Sequence, residues 1–331
     1  MSRSVELWAR WKIWWLSVAA GAVLGCIYRL WIWSQVMWSR HSTAATIMTF
    51  SFLAIVPFAM GYLSVRRYLC TIPSQEIHWR RWLILPCASV LVTMLISALV
   101  GWEGAICLIF AGPIMLVFAL LGGIAARLAW RSLNAHSPGT LSAFALPILL
   151  ILLETHFPNP YEFRTVNTEI LIHARAPVVW SNIKSVRAIA PAELPGSWVG
   201  RIGFPRPVAA TLSHDGIGGL RQASFTGGLV FTETVNLWHP EQDLRFSIHA
   251  NTDSIPPSTL DEHVTIGGAF FDVLDGEYQL ESRPDGVLLH LSSHERLSTH
   301  LNPYAALWTD AVMRSIQNEI LHVIQKRCET P

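Results

Sequence analysis

Glu233 is the residue that most clearly asks for chemistry. In the segment FTETVNLW, residues 231–238, strict alternation puts Phe231, Glu233, Val235 and Leu237 on one face of a strand. A carboxylate among apolar neighbours is costly unless it is paired or protonated. It would anchor the polar end of a ligand, serve as a general acid or base, or sit in a structural ion pair, for which Arg221 is the partner at hand. Tyr278, on a later apolar face with Leu280, offers a hydroxyl to the same ligand or reaction, or is a core tyrosine bonded to backbone. No catalytic set is assigned beyond this.

Other chemistries find little support. His290 and His294 share a strand face, but neither HExxH nor a third clustered ligand accompanies them, so no metal site is expected. The run Gly216-Ile217-Gly218-Gly219 enters a strand rather than a helix and is no dinucleotide fingerprint. Glu193, just before Pro195, would gate a pocket or stand solvated in a loop. The five cysteines show no CxxC spacing, and only Cys328 falls in the C-terminal half. No cofactor is expected.

These residues belong to the second of two unlike halves. The chain has 331 residues, 51% hydrophobic and only 14% charged, against about 25% in ordinary soluble proteins. Residues 1–155 hold 11 Lys/Arg and 4 Asp/Glu, a net of +7. Residues 156–331 hold 13 and 19, a net of −6, which would repel a phosphate backbone and argues against nucleic acid as a partner.

A helix needs about 20 apolar residues to cross a bilayer. Residues 13–33, 44–65, 82–100 and 105–126 meet that, and the shorter 141–153, with Pro147, is taken as a fifth crossing. Arg3, Arg10 and Lys12 precede the first span; Arg66, Arg67, Arg80 and Arg81 follow the second; Arg127 and Arg131 follow the fourth. That distribution predicts a cytoplasmic N-terminus and, if 141–153 crosses, a C-terminal half outside the cytoplasm of a bacterial inner membrane; were 141–153 re-entrant or interfacial, that half would be cytoplasmic. Arg29 is expected to snorkel outward from the end of the first span, and tryptophans such as Trp8, Trp11, Trp14 and Trp31 form interfacial belts. With no ionisable residue at mid-span, the region reads as a passive anchor.

Residues 156–166, with Pro158 and Pro160, read as a tether to a domain over 167–331. There the expected order is a strand at 168–174, a helix at 176–183 and a short helix or turn within 186–194. Strands follow at 208–212, 220–226, 229–238, 244–250, 270–282 and 287–297. A last helix, capped by Asn302 and opened by Pro303, runs to about Lys326. Its apolar stripe is Tyr304, Leu307, Trp308, Ala311, Val312, Ile316, Ile320, Val323 and Ile324. A single antiparallel sheet must cover one face, and one long helix is available to do so.

The order of the pieces carries a resemblance. An opening strand followed by APVVW at 176–180, GGLRQASFTG at 218–227, FTETVNLWHP at 231–240, FDVLDGEYQLES at 271–282 and NPYAALWTDAVMRSIQNEIL from Asn302 resemble the SRPBCC/START superfamily of helix-grip domains, which includes polyketide cyclase-like and lipid-transfer proteins. The resemblance covers about residues 167–328. It implies an α+β domain, a curved antiparallel sheet around a C-terminal helix; the apolar spans before it, which have no counterpart in that superfamily, are expected to form an all-α transmembrane bundle. It also implies a hydrophobic small molecule or lipid held between sheet and helix. Trp180, Phe231, Glu233, Phe246, Ile248, Tyr278, Leu280, Tyr304 and Trp308 are the expected ligand contacts. The expected function is membrane-tethered binding or transfer of that molecule. The alternatives are a cyclase or dehydratase using Glu233 or Tyr278, and a structural or signalling module with a filled interior.

Overall fold

The computed structural model describes residues 3–39, 49–72, 79–132, 139–154, 156–250 and 266–330. The chain divides into two compact units, Met1–Pro158 and Asn159–Pro331.

The N-terminal unit consists of α1 (Arg3–Ser39), a π-helical turn (Ser51–Ile55) running into α2 (Val56–Thr71), α3 (Trp79–Val100), α4 (Ala105–Ser132) and α5 (Gly139–Glu154). The π turn precedes Pro57, whose ring would clash with the carbonyl four residues back, so widening that turn relieves the contact. Among the described residues three helices are long and apolar enough to cross a membrane: Trp8–Ile32, Trp82–Val100 and Ala105–Arg131. The expected count of about five is not supported: the span expected at 44–65 begins outside the described residues and continues through the π turn into α2, and α5, over the expected 141–153, has 16 residues.

Small residues set the packing of this unit. A Cβ on Gly61 would lie 2.0 Å from the Ala119 carbonyl oxygen, and one on Gly122 would lie 1.9 Å from that of Phe58. The α2 and α4 backbones therefore touch, as small residues permit between apolar helices. Ser89 and Thr93 of α3 donate to the carbonyls of Val18 and Ala22 on α1, at 3.2 and 3.3 Å.

Two charged groups of this unit are held by local partners. Arg29 does not snorkel; it is buried, with Nε 2.8 Å from Glu103 Oε1 and Nη2 2.8 Å from the Trp102 carbonyl oxygen. Its guanidinium lies 5.8 Å from the Trp102 ring centroid. A local carboxylate removes the need to reach water. Glu154 ends α5 by accepting from the backbone N–H groups of Phe50 and Ser51, at 2.6 and 2.8 Å. These are the kind of donors a helix start leaves unmet.

The C-terminal unit contains β1 (Glu162–Ile172), α6 (Ala176–Lys184), a 3₁₀ turn (Pro191–Glu193), α7 (Trp198–Arg201), β2 (Pro207–Leu212), β3 (Leu220–Phe225), β4 (Val230–His239), β5 (Asp243–Ala250), β6 (Phe271–Arg283), β7 (Gly286–Leu297) and α8 (Asn302–Glu329). The strands form one curved antiparallel sheet in the order β1-β7-β6-β5-β4-β3-β2, with α8 packed against β1 and β7. The first strand starts inside the stretch expected as a tether, because Val166 is already a core position paired with Ser293.

Polar groups fix α8. Gln317 Nε2 donates to the Val166 carbonyl at 3.2 Å and Gln325 Nε2 to that of Leu171 at 2.8 Å, so helix side chains cover part of the β1 edge. Arg327 pairs with Glu193 at 2.7 Å. That contact and a bond to the Ala190 N–H hold the Glu193 carboxyl down at about 2. Glu193 thus ties a loop to the helix. Asn302 is not the cap: its Oδ1 accepts from the Thr299 N–H and hydroxyl, and its Nδ2 reaches the Pro160 carbonyl. Leu307 leaves the expected stripe and is exposed, while Ala306, Met313, Gln317 and Leu321 are buried.

Candidate ligand cavity

Two bulges determine which side chains face inward. On β4 the register shifts between Val235 and Leu237. Phe231, Glu233 and Val235 point inward as expected, but Leu237 leaves that face and Trp238 joins the core. On β6 the shift falls between Val273 and Asp275, so the inward series becomes Val273, Gly276, Tyr278. Gly276 lies opposite Phe246, and a Cβ there would stand 2.8 Å from the ring. Its lack of a side chain lets the Phe246 ring lie against the sheet.

A cavity of about 130 Å³ lies between the sheet and α8. Its walls are largely apolar: Phe204, Pro205 and Phe225 from the β2–β4 side, Phe231, Phe246 and Ile248 from the sheet, and Met313, Ile316 and Ile320 from α8. Of the residues expected to touch ligand, Phe231, Glu233, Phe246, Ile248 and Tyr278 line it. Trp180, Leu280, Tyr304 and Trp308 do not. Trp180 is buried edge-on against Trp238 at 5.1 Å, and Leu280 packs on the same cluster, because α6 closes that end of the groove. Tyr304 and Trp308 meet edge to face at 6.4 Å, and the helical wall begins only at Met313.

One polar group interrupts the sheet wall. Arg221 faces Glu233 directly across the β3–β4 ladder, and Arg221 Nη1 donates to Glu233 Oε2. Both side chains are buried. The guanidinium stacks over Phe246, 5.2 Å from its centroid, and hydrogen-bonds the Tyr278 hydroxyl. Burial pushes the Glu233 carboxyl up against the pull of Arg221, and pushes the Tyr278 phenol up as well. Arg221 Nε finds no partner among the described residues, leaving a donor unmet at the wall. The arrangement can orient a ligand oxygen. It leaves Glu233 engaged rather than free to take a proton.

A second polar set, not anticipated, lies toward α8. Ser292, Ser293 and Gln317 line the cavity, and Glu295 follows Ser293 on the inward face of β7. The signal was available: in VLLHLSSHERL the alternate positions 289, 291, 293, 295 and 297 read Leu, Leu, Ser, Glu, Leu, a carboxyl on an apolar face. On the other face, His290 meets Glu169 and Glu281, and His294 meets Asp275.

No family model matches the chain, and no curated protein matches it. Several solved structures do show similarity. The di-domain ARO/CYC BexL from the BE-7585A biosynthetic pathway is 13% identical, with 64% of this chain and 62% of that one covered and a TM-score of 0.33. Norcoclaurine synthase from Thalictrum flavum is 12% identical over 50% of this chain and 86% of its own, with a TM-score of 0.32. A protein of the dynemicin biosynthetic locus is 14% identical over 50% of this chain, with a TM-score of 0.31. The chain spans about half the length of that last protein, 47%. Likeness at this level does not bear on ligand or chemistry.

Proposed function

We propose that the C-terminal unit binds a compact hydrophobic molecule between sheet and α8, and that the N-terminal helices hold it at a membrane. The cavity carries this reading: its walls are apolar, and its sheet side offers one oriented polar group, Arg221 with Glu233 and Tyr278. Pockets for drug-sized ligands run from about 300 Å³ upward, whereas an apolar cavity of about 150 Å³ takes benzene. A volume of about 130 Å³ therefore suits one ring or a short chain better than a whole two-chain lipid.

Cyclase or dehydratase chemistry is the second reading, favoured by the convergence of Glu233 and Tyr278 on one guanidinium. Catalysis would need one of them free to exchange a proton with substrate, and the Arg221 contact argues for positioning instead. An open cavity also weighs against a module with a filled interior.

Native mass spectrometry of the full chain in lipid nanodiscs, followed by solvent extraction, tests the proposal. A stoichiometric small apolar molecule, lost in a Gly276→Leu variant, is the expected result. A clean chain that also fails to take up 4-fluoroethylbenzene by fluorine NMR would sink it.

A further inference from the structure

The inward polar groups around the cavity divide into those already engaged and those with capacity to spare. Toward α8, Gln317 Nε2 donates to the Val166 carbonyl at 3.2 Å and to Ser293 Oγ at 2.9 Å, while Gln317 Oε1 accepts from Thr168 at 3.0 Å. Ser293 Oγ donates in turn to Glu295 Oε1 at 3.2 Å. Glu295 itself has 0% exposure and lies behind the wall, where burial pushes its carboxyl up to about 8. On β3, Ser224 Oγ donates to the Ala209 carbonyl at 3.2 Å. Each donor among these groups is spent.

The Glu233 carboxylate has an oxygen left over. Glu233 lines the cavity, and Arg221 Nη1 donates to its Oε2 alone. Oε1 makes no hydrogen bond among the described residues and, unlike Arg221 Nε, is not shut away from the cavity. Tyr278, also on the wall, complements it. A guanidinium only donates, so the Tyr278 hydroxyl accepts from Arg221 and its own proton is left to point elsewhere. One arginine thus holds an acceptor and a donor on the same stretch of wall. The Arg221–Glu233 pair has no net charge, so it offers nothing to balance a charged head group.

We propose that Glu233 Oε1 is the polar subsite of this cavity, accepting a hydrogen bond from a hydroxyl on the bound molecule whose oxygen accepts in turn from Tyr278. The ligand is then a neutral alcohol or phenol with a compact apolar body. This rests on the cavity being a ligand site.

The test uses three near-isosteres: 4-fluorobenzyl alcohol, which donates and accepts, 4-fluoroanisole, which only accepts, and 4-fluoroethylbenzene, which does neither. Fluorine NMR titrations use the full chain in nanodiscs, with the partition into empty nanodiscs subtracted. The readout is the ratio of the Kd of the anisole to that of the alcohol. It should fall by about tenfold or more from the wild type to the Arg221→Met, Glu233→Leu double variant, the scale of one hydrogen bond to a charged group. In Glu233→Gln, Arg221 holds the amide oxygen and the NH2 stands where Oε1 was. A donor then replaces an acceptor, so the ratio should move toward the anisole.

A ratio that the double variant leaves unchanged, or a Glu233→Gln variant that favours the alcohol as the wild type does, would overturn the assignment. Should the double variant not fold, the glutamine variant still decides. Uptake of 4-fluoroethylbenzene alone by the wild type would keep the cavity and overturn the subsite. Uptake of none of the three would overturn the cavity reading itself, and this one with it.

Discussion

Arg221 and Glu233 stand directly opposite each other on β3 and β4, and their side chains pair inside the cavity wall. Removing one partner of a buried pair leaves the other charge uncompensated, at about 3–5 kcal/mol, whereas replacing both by apolar groups is often neutral. Glu233→Leu is therefore expected to destabilise the C-terminal unit by that amount. Arg221→Met with Glu233→Leu should recover most of it. Denaturant unfolding of the wild type and the two variants gives the comparison, and a double variant as unstable as the single would refute the pairing argument.

Gly276 keeps the space beside Phe246 open. Gly276→Val is expected to push the ring into the cavity, costing about 1–3 kcal/mol by overpacking. Uptake of 4-fluoroethylbenzene should fall by about tenfold or more. Unchanged uptake in the folded variant would show that ligand sits elsewhere.

Glu295 should make stability fall as pH rises. Its folded pKa of about 8 lies above the ordinary value of 4.5, so the folded chain holds the extra proton between those values. The stabilisation is complete below about pH 4.5 and disappears as pH climbs through 8. Glu295→Gln should flatten that dependence, making the variant the more stable protein at pH 9 relative to its standing at pH 5. Thermal melts at the two pH values measure it, and parallel shifts in both proteins would contradict it.

In the N-terminal unit, Glu103→Gln removes the charge opposite Arg29, which is buried. A loss of about 3–5 kcal/mol is expected, read as a lower melting temperature in nanodiscs. Glu103→Asp, which keeps the charge, should lose less.

Much of the strand order was legible because one face of each strand is apolar, and alternation reports that directly. Local pattern fails where the chain adds a residue. Nothing in VNLWH announces the bulge that turns Leu237 away and Trp238 inward, since both are apolar. The Glu233 carboxyl stood out against its apolar face, and Arg221 could be named as a partner, but their register is a property of the whole ladder. Gln317 and Glu295 were passed over for a related reason. A polar residue on an apolar stripe looks like a lapse until its long-range partners are known, and Gln317 meets Val166 across 151 positions. The count of about five spans goes unsupported for a different reason: apolar composition does not set where a helix such as α5 stops, and that one has 16 residues.

Gln317 and Gln325 also make α8 a costly element to move. Raising α8 would strip Val166 and Leu171 of their covers and bare the border of the sheet, an invitation to any extended peptide nearby. The helix is thus fixed. The opposite rim, where Ile189, Phe204 and Pro205 lie outside both sheet and helix, is tied down as well: the Ile189 N–H donates to the Val208 carbonyl, and Arg206 beside Pro205 pairs with Glu319 of α8.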